Sequence, residues 1–380
     1  MKQGAFYTGK YRNRFAELGY SEKEIEDRKE AIFQTLFYGS EDERIYHPVG
    51  DDMGYMEDTG NIDARTEGMS YGMMMCVQTD HQEEFNRIWK WSKTYMFMTE
   101  GINAGYFAWS CQPDGTKNAY GAAPDGEEYY AMALFFASHR WGDGEGIFNY
   151  SKEAKDLLHT CITKKGDGRN GREMWDPENH LIRFIVEVDF SDPSYHLPHF
   201  YELFSRWAYE EDREFFKIAA EESRKYLKKA CHPKTGLNPE YGNFDGTPCT
   251  LGNWGRHDWY YSDAYRTIAN IAMDSNWFDE DPWEKEIAET FLKFYCEELR
   301  EDQWDLIMEV DGTLLDQKVL HPVAVIAVNA EAGLTLENAH AEHCIRKFWN
   351  TPLREGNRRY YDNCLYFFAF LALSGNYRIY

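Results

Sequence analysis

Apolar residues return every three or four positions along almost the whole chain, which is the pattern of helices with one buried face, and convincing strand alternation is rare. Ser21-Glu22-Lys23-Glu24 has the form of a capping box and opens a helix whose apolar face carries Ile25, Ile32, Phe33, Leu36 and Phe37. Further helical segments are predicted to begin near Thr66, His81, Asp125, Ser151, Ser194, Glu210, Ser262, Pro282, Pro322, Glu337 and Tyr360, about twelve helices in all.

Several of these segments alternate in character. Stretches 66–78, 127–140, 262–273, 322–334 and 361–374 are apolar and rich in small residues, whereas 81–97, 151–164, 282–300 and 337–349 are charged and amphipathic. Buried inner helices followed by half-exposed outer ones would read this way. Six such pairs predict an all-α fold, an (α/α)6 barrel of six inner and six outer helices, with residues 1–380 forming a single catalytic domain. No sequence repeat links the pairs, so the expectation rests on helix count and polarity. The loops leading into inner helices (47–66, 101–127, 166–194, 238–262, 309–322 and 350–361) are rich in Asp, Gly, Trp and Tyr and would gather at one end of the ring. Some exceed ordinary connection lengths, as functional loops often do, and leave room for short strands.

Aromatic residues make up 17% of the chain, with 12 Trp, 27 Tyr and 24 Phe, and many stand beside Gly, Asn or Asp in the predicted loops. Flat rings flanked by carboxylates and amides suit the faces and hydroxyls of sugars. The formal charge of −24 argues against nucleic acid and anionic membranes, which demand basic patches, while a neutral substrate is not penalised. No run is long and apolar enough to span a bilayer, and the opening residues lack the apolar core of a secretion signal. The eight cysteines form no CxxC pair and read as free, buried thiols, so the expected location is the cytoplasm. No obligate protein partner is evident.

The candidate chemistry begins at Asp63-Ala-Arg65-Thr-Glu67-Gly-Met-Ser-Tyr71-Gly-Met-Met-Met75, where one carboxylate opens a helix of small and apolar side chains. Thr66 is placed to cap the first turn, and Gly68 leaves room for something to approach Glu67. An ion pair with Arg65, or simple complementation of the helix dipole, explains Glu67 equally well from these residues alone. The dipole favours the ionised form, so a role as general acid requires burial and neighbouring carboxylates to raise the pKa. Met69, Met73, Met74 and Met75 read as core.

Two more acidic residues stand at comparable places. Asp125 follows Pro124 at the start of an apolar helix and has a helix-capping role as its plainest explanation. Asp263 follows Ser262, itself a possible cap, and precedes Arg266 by one turn, so an ordinary ion pair is the simple alternative. If the ring forms, Glu67, Asp125 and Asp263 rim one aromatic cavity, an arrangement that serves glycosidic bond cleavage.

Other signals carry less. His196-x-x-His199 and His340-x-x-His343 stand outside any HExxH pattern, and the acidic run Asp51 to Asp58 does not follow the calcium-loop pattern, reading instead as a wall of the cleft. Neither a phosphate-binding glycine loop nor a serine nucleophile elbow is present, so neither metal nor cofactor is expected.

Taken together, Asp63-x-Arg65-Thr-Glu67-Gly-x-Ser-Tyr71-Gly-Met, Ala108-Trp109, Ala123-Pro124-Asp125-Gly-Glu127, Asp192-Pro-Ser-Tyr195, Ser262-Asp263-Ala-Tyr-Arg266 and Arg359-Tyr360-Tyr361-Asp362 resemble glycoside hydrolase family 8, in order from near residue 5 to the C-terminus. The resemblance implies the same barrel and inverting hydrolysis of β-1,4-linked glycans. It makes Glu67 the general acid and Asp263 the general base, has Asp125 hold a distorted sugar next to the cut, has Trp109 stack on a sugar, and sets Arg266, Tyr195 and Tyr361 around the site. Gly4-Ala-Phe-Tyr7-Thr, Tyr106-Phe-Ala-Trp109, Phe190 to Tyr201 and Leu320-His321-Pro322 are most similar to the reducing-end xylose-releasing exo-oligoxylanases of that family. That implies a xylo-oligosaccharide substrate, with His321 meeting the terminal anomeric hydroxyl, although the residues alone fit a loop histidine before a helix-starting proline. Loop 250–261, with Trp254, Arg256 and His257, departs from the subgroup pattern and is expected to bear on what binds beyond the cut. An endo-acting xylanase, glucanase or chitosanase, a sugar isomerase or epimerase on the same barrel, and a non-catalytic glycan-binding protein remain alternatives.

Overall fold

The structure is a computed structural model that describes residues 3–251 and 255–380. After two single-turn helices, α1 (Ala5–Thr8) and α2 (Arg14–Glu17), the chain forms twelve longer helices among the described residues. They are α3 (Glu22–Tyr38), α4 (Thr66–Thr79), α5 (Gln82–Trp91), α6 (Pro124–Trp141), α7 (Tyr150–Thr163), α8 (Pro198–Trp207), α9 (Arg213–Ala230), α10 (Tyr265–Trp277), α11 (Trp283–Lys293), α12 (Pro322–Ala332), α13 (Ala339–Trp349) and α14 (Arg359–Leu373).

From α4 onward, each even-numbered helix packs against the next, and α14 returns to α4, which closes an inner ring of six. The odd-numbered helices form the outer layer: α5, α7, α9, α11 and α13 each pack against neighbouring inner helices, while α3 covers α14 from the other end of the sequence. This is the (α/α)6 barrel. Polarity sorts the two layers. Inner α4 buries Thr66 and every residue from Gly68 to Gln78, and α14 is buried along its whole length. Outer α3 and α9 bury one stripe each, with Ile25, Ile32, Phe33, Leu36 and Phe37 inside on α3 as the capping-box reading requires. The Ser21 and Glu24 side chains form both halves of that capping box. One contiguous core reaches from Ala5 to Tyr377 and includes Met69, Met73, Met74 and Met75. No helix of the described residues is long and apolar enough to cross a membrane.

Seven short strands line the loops among the described residues. β1 (Tyr46–Val49) and β2 (Met53–Met56) form an antiparallel hairpin, β3 (Ala64–Arg65) pairs with β4 (Ser110–Cys111), and β5 (Trp259–Tyr260), β6 (Leu306–Glu309) and β7 (Leu314–Lys318) make a three-stranded sheet. The hairpin corrects the expectation that the whole acidic run 51–58 walls the cleft. Its strand β2 packs on α5, Asp51 and Asp52 stand exposed at its turn, and only Asp58 reaches a cavity at the site.

Three expected helix caps are also corrected. Thr66 is the first residue inside α4, and its N–H goes to the Trp109 carbonyl at 3.0 Å, a bond that welds β4 to the helix start. Asp125 lies inside α6 behind Pro124. Ser262, at φ 44°, opens a single 3-10 turn through Ala264 that delays α10 to Tyr265. Similar turns at Pro193–Tyr195 and Glu210–Asp212 postpone α8 and α9 past the starts expected near Ser194 and Glu210.

Candidate active site

Glu67, Asp125, Asp263 and Arg266 come from the N-terminal ends of three inner helices, α4, α6 and α10, and the ring brings those ends together. Close approach is built in at Gly126, where a Cβ would lie 2.4 Å from the Thr66 Cβ. Any larger residue would push α6 away from α4 and Asp125 away from Glu67. Gly68 has a different purpose from the one expected of it. A Cβ there would meet the Tyr360 ring at 2.6 Å, so the space beside Glu67 is filled by an aromatic from α14.

Arg266, almost wholly buried, is the hub of the site. Its Nη1 donates to Glu67 Oε2 at 2.5 Å and to the Tyr71 hydroxyl at 3.0 Å, and lies 3.6 Å from Asp125 Oδ2. Its Nη2 stands 3.2 Å from Asp263 Oδ1 and 3.9 Å from Asp192 Oδ2. The expected Asp263 ion pair is therefore present, whereas Glu67 pairs with Arg266 and Arg65 turns to Asp58 and Asp63 at 3.1 and 3.0 Å. Tyr360 donates its hydroxyl to Glu67 Oε1 at 2.7 Å.

Four carboxyl groups around one guanidinium cannot all ionise cheaply in a buried setting. Burial is the largest influence on Glu67 and pushes its carboxyl above the ordinary range; Arg266 opposes the rise, Asp263 adds to it, and Tyr360 opposes it again. Asp125 is pushed up to about 7, by burial first and the charge of Glu67 second, with Arg266 pulling the other way. Asp192, fully buried with Oδ2 lacking a hydrogen-bond partner, is driven well above the carboxylate range by burial and then by Asp263. Asp263 is the most accessible member, its side chain 24% exposed against 15% for Glu67.

Two cavities meet at this cluster. The larger, about 380 Å³, is lined by Trp109, Asp125, Phe184, Tyr195 and Tyr241 together with Arg65, Glu67 and Asp263. The smaller, about 240 Å³, shares Arg65, Glu67 and Asp263 and continues to Asn61, Leu320, His321, Arg358, Tyr360 and Tyr361. Glu67 and Asp263 thus line both chambers. Aromatic walls and a carboxyl pair of unequal burial are what acid–base cleavage of a glycosidic bond requires.

The structure therefore brings together the residues the sequence singled out. Trp109 and Tyr195 stand in the larger chamber, His321 and Tyr361 in the smaller, and Arg266 beneath Glu67, its Cζ 5.4 and 5.8 Å from the Tyr195 and Tyr361 ring centres. Sequence reasoning gave no role to Tyr360 and Asp192, which stand in the quoted motifs, and missed Tyr241, Phe184 and Asn61. Gly68, the third residue of α4, was the signal in the helix itself for the close approach of Tyr360. In loop 250–261, Trp254 lies outside the described residues. Arg256 pairs with Asp258 and Glu309, and His257 bonds to Glu240 at 2.7 Å while its ring stacks on Tyr241 at 4.3 Å, so this loop acts on the larger chamber through Tyr241. His196 has both ring nitrogens engaged, with Ser191 at 2.8 Å and Ser223 at 2.9 Å, and His340 and His343 face Glu297 and Glu301 on the outer surface.

The pattern described as Glycosyl hydrolases family 8 matches residues 52–375. A reducing end xylose-releasing exo-oligoxylanase of Halalkalibacterium halodurans is 57% identical over 379 residues, which is 99% of this chain and 96% of that one. Another of the same name from Bifidobacterium adolescentis is 46% identical over 371 residues, 96% of each. The solved structure of Rex8A from Paenibacillus barcinonensis complexed with xylose superimposes with a TM-score of 0.97 at 53% identity, covering 100% of both chains. With a carboxyl pair between two chambers of an (α/α)6 barrel, and with relatives this similar along its length, the chain belongs to glycosyl hydrolase family 8.

Proposed function

We propose that the chain, acting as a single catalytic domain, releases xylose from the reducing end of β-1,4-xylo-oligosaccharides with inversion. The observation that carries this reading is the placing of Glu67 and Asp263 where a 380 Å³ chamber meets a 240 Å³ chamber bounded by Leu320 and His321. The smaller space falls below the usual range for a drug-sized ligand, about 300–1,000 Å³, and suits one sugar ring better than a chain.

In this mechanism the oligosaccharide lies in the larger chamber against Trp109, with Asp125 holding the ring next to the cut, and its last unit enters the smaller chamber. Glu67 gives its proton to the glycosidic oxygen as the C–O bond breaks. Asp263 takes a proton from the water that attacks the anomeric carbon from the opposite face, which requires a carboxyl separation of about 6.5–9.5 Å. Arg266 and Tyr360 hold Glu67 in position, Tyr195 and Tyr361 flank the guanidinium, and His321 meets the anomeric hydroxyl of the leaving xylose. Both proton transfers are made by carboxyl groups, so the reaction needs no cofactor. All eight cysteines are free thiols, which suits a reducing compartment, and the proposed location is the cytoplasm, where imported fragments would be trimmed.

Xylotriose and its reduced alditol, xylotriitol, separate this reading from an endo-acting one. Xylotriose is expected to yield xylose and xylobiose, and xylotriitol to remain uncut. Rapid release of xylose from xylotriitol would refute recognition of the reducing end.

A further inference from the structure

The loop that bounds the smaller chamber is held from behind by two residues that have no task in the mechanism above. Asp362, on the first turn of α14, is fully buried, and three nitrogens converge on it. Ala324 N–H reaches Oδ1 at 2.8 Å, His321 Nδ1 lies 3.1 Å from Oδ2, and Arg354 Nη1 donates to the same Oδ2. That Arg354 nitrogen also donates to the Leu320 carbonyl at 2.5 Å. The backbone of Arg354 is in turn tied to the Asn363 side chain, with Arg354 N–H to Oδ1 at 2.9 Å and Nδ2 to the Arg354 carbonyl at 2.8 Å. Leu320, His321 and the first turn of α12 are thus all fastened to one carboxylate–guanidinium pair carried by α14 and the segment before it.

The arrangement also sets the chemistry of His321. A neutral imidazole that donates Nδ1–H to Asp362 keeps a lone pair on Nε2, and the His321 side chain lines the chamber. An acceptor in that position selects a sugar O–H. The Tyr361 ring, 4.9 Å from the imidazole, packs beside it.

The geometry points to Arg354 and Asp362 as the positioning residues that determine specificity: they pin the Leu320–His321 segment across the smaller chamber and hold His321 as a hydrogen-bond acceptor for a sugar hydroxyl. The inference rests on the reading that this chamber takes the reducing-end unit. Neither side chain lines either chamber, so both act through the loop.

Arg354 is 25% exposed, which makes it the safer site to alter, whereas removing a buried charge at Asp362 endangers folding. In Arg354→Met, KM for xylotriose should rise at least tenfold while kcat falls less than threefold, and longer oligomers should begin to yield products from internal cuts. Arg354→Lys, which keeps a cation near Leu320 and Asp362, should restore most of the lost affinity. Proton–nitrogen spectra of the unliganded protein, with His321 assigned by its absence in His321→Gln, should show the Nδ1–H form in the wild type and a shift toward Nε2–H in Asp362→Asn. Unchanged KM and products in Arg354→Met, or a wild-type His321 protonated on Nε2, alone or together with Nδ1, would overturn the assignment. If Asp362→Asn does not fold, the Arg354 variants and the wild-type spectrum decide it. Cleavage of xylotriitol by the wild type would sink the functional reading, and the imidazole spectrum of the unliganded protein would still test the clamp.

Discussion

Glu67 sits between forces of opposite sign. Burial and Asp263 favour its protonated form, while Arg266 and the Tyr360 hydroxyl favour the ionised one. A general acid works only while it holds its proton, so the role proposed for Glu67 requires activity to fall as pH rises through its pKa. Tyr360→Phe keeps the ring against Gly68 and removes only the hydroxyl that stabilises the carboxylate at 2.7 Å. The pKa of Glu67 should therefore rise, and the alkaline limb of kcat/KM should move to higher pH. A limb that stays in place or moves to lower pH would contradict the assignment of the acid. Because Asp125 is pushed up to about 7 by burial and by Glu67, the two groups titrate as a pair, and the limb reports both. At this scale the sequence was informative where the chemistry is local: a carboxylate opening each of three apolar helices was visible as such. The Glu67–Arg266 pair, between residues 199 positions apart, and the Tyr360 bond, 293 positions apart, were not, since only the closed ring brings those residues into contact.

The inner helices position chemistry at their N-terminal ends, and the spacing between those ends is set by side-chain size. Gly126 lets α6 approach Thr66 on α4. Gly126→Ala should force the two helices apart, cost about 1–3 kcal/mol of stability, and reduce kcat about tenfold to a hundredfold by moving Asp125 relative to Glu67. Thermal unfolding and steady-state kinetics measure both effects, and wild-type behaviour in both would show that the contact is slack. The inner and outer identities of the helices were legible because burial on all sides and burial on one stripe leave different compositions, as α4 and α3 illustrate. Their starts were less legible. Thr66 and Ser262 look like caps, yet the Thr66 N–H is claimed by Trp109 across the β3–β4 pair and Ser262 adopts a left-handed conformation within a 3-10 turn. Tertiary contacts overrode local capping preference in both cases.

At the scale of the whole molecule, the ring turns six helix ends into one trough with two compartments. α14 closes the circle against α4 and also carries Tyr360 and Tyr361 to the site and Asp362 to the Leu320–His321 loop, so its packing couples barrel closure to the shape of the smaller chamber. The resemblance carried by Arg359-Tyr360-Tyr361-Asp362 pointed to Tyr361 at the site, but the hold of Asp362 on the Leu320–His321 loop was hidden in the sequence, since His321 and Asp362 lie 41 positions apart. The compartments explain how a carboxyl pair suited to cutting any β-linked chain would become a device that removes one terminal unit. The stereochemistry of the cut is the most direct test of this account. Proton NMR of the anomeric signals during early hydrolysis of xylotriose should show α-xylobiose rising first and equilibrating afterwards, together with free xylose. β-Xylobiose appearing first would mean retention, and Glu67 and Asp263 could not then be the acid and base of a single displacement by water.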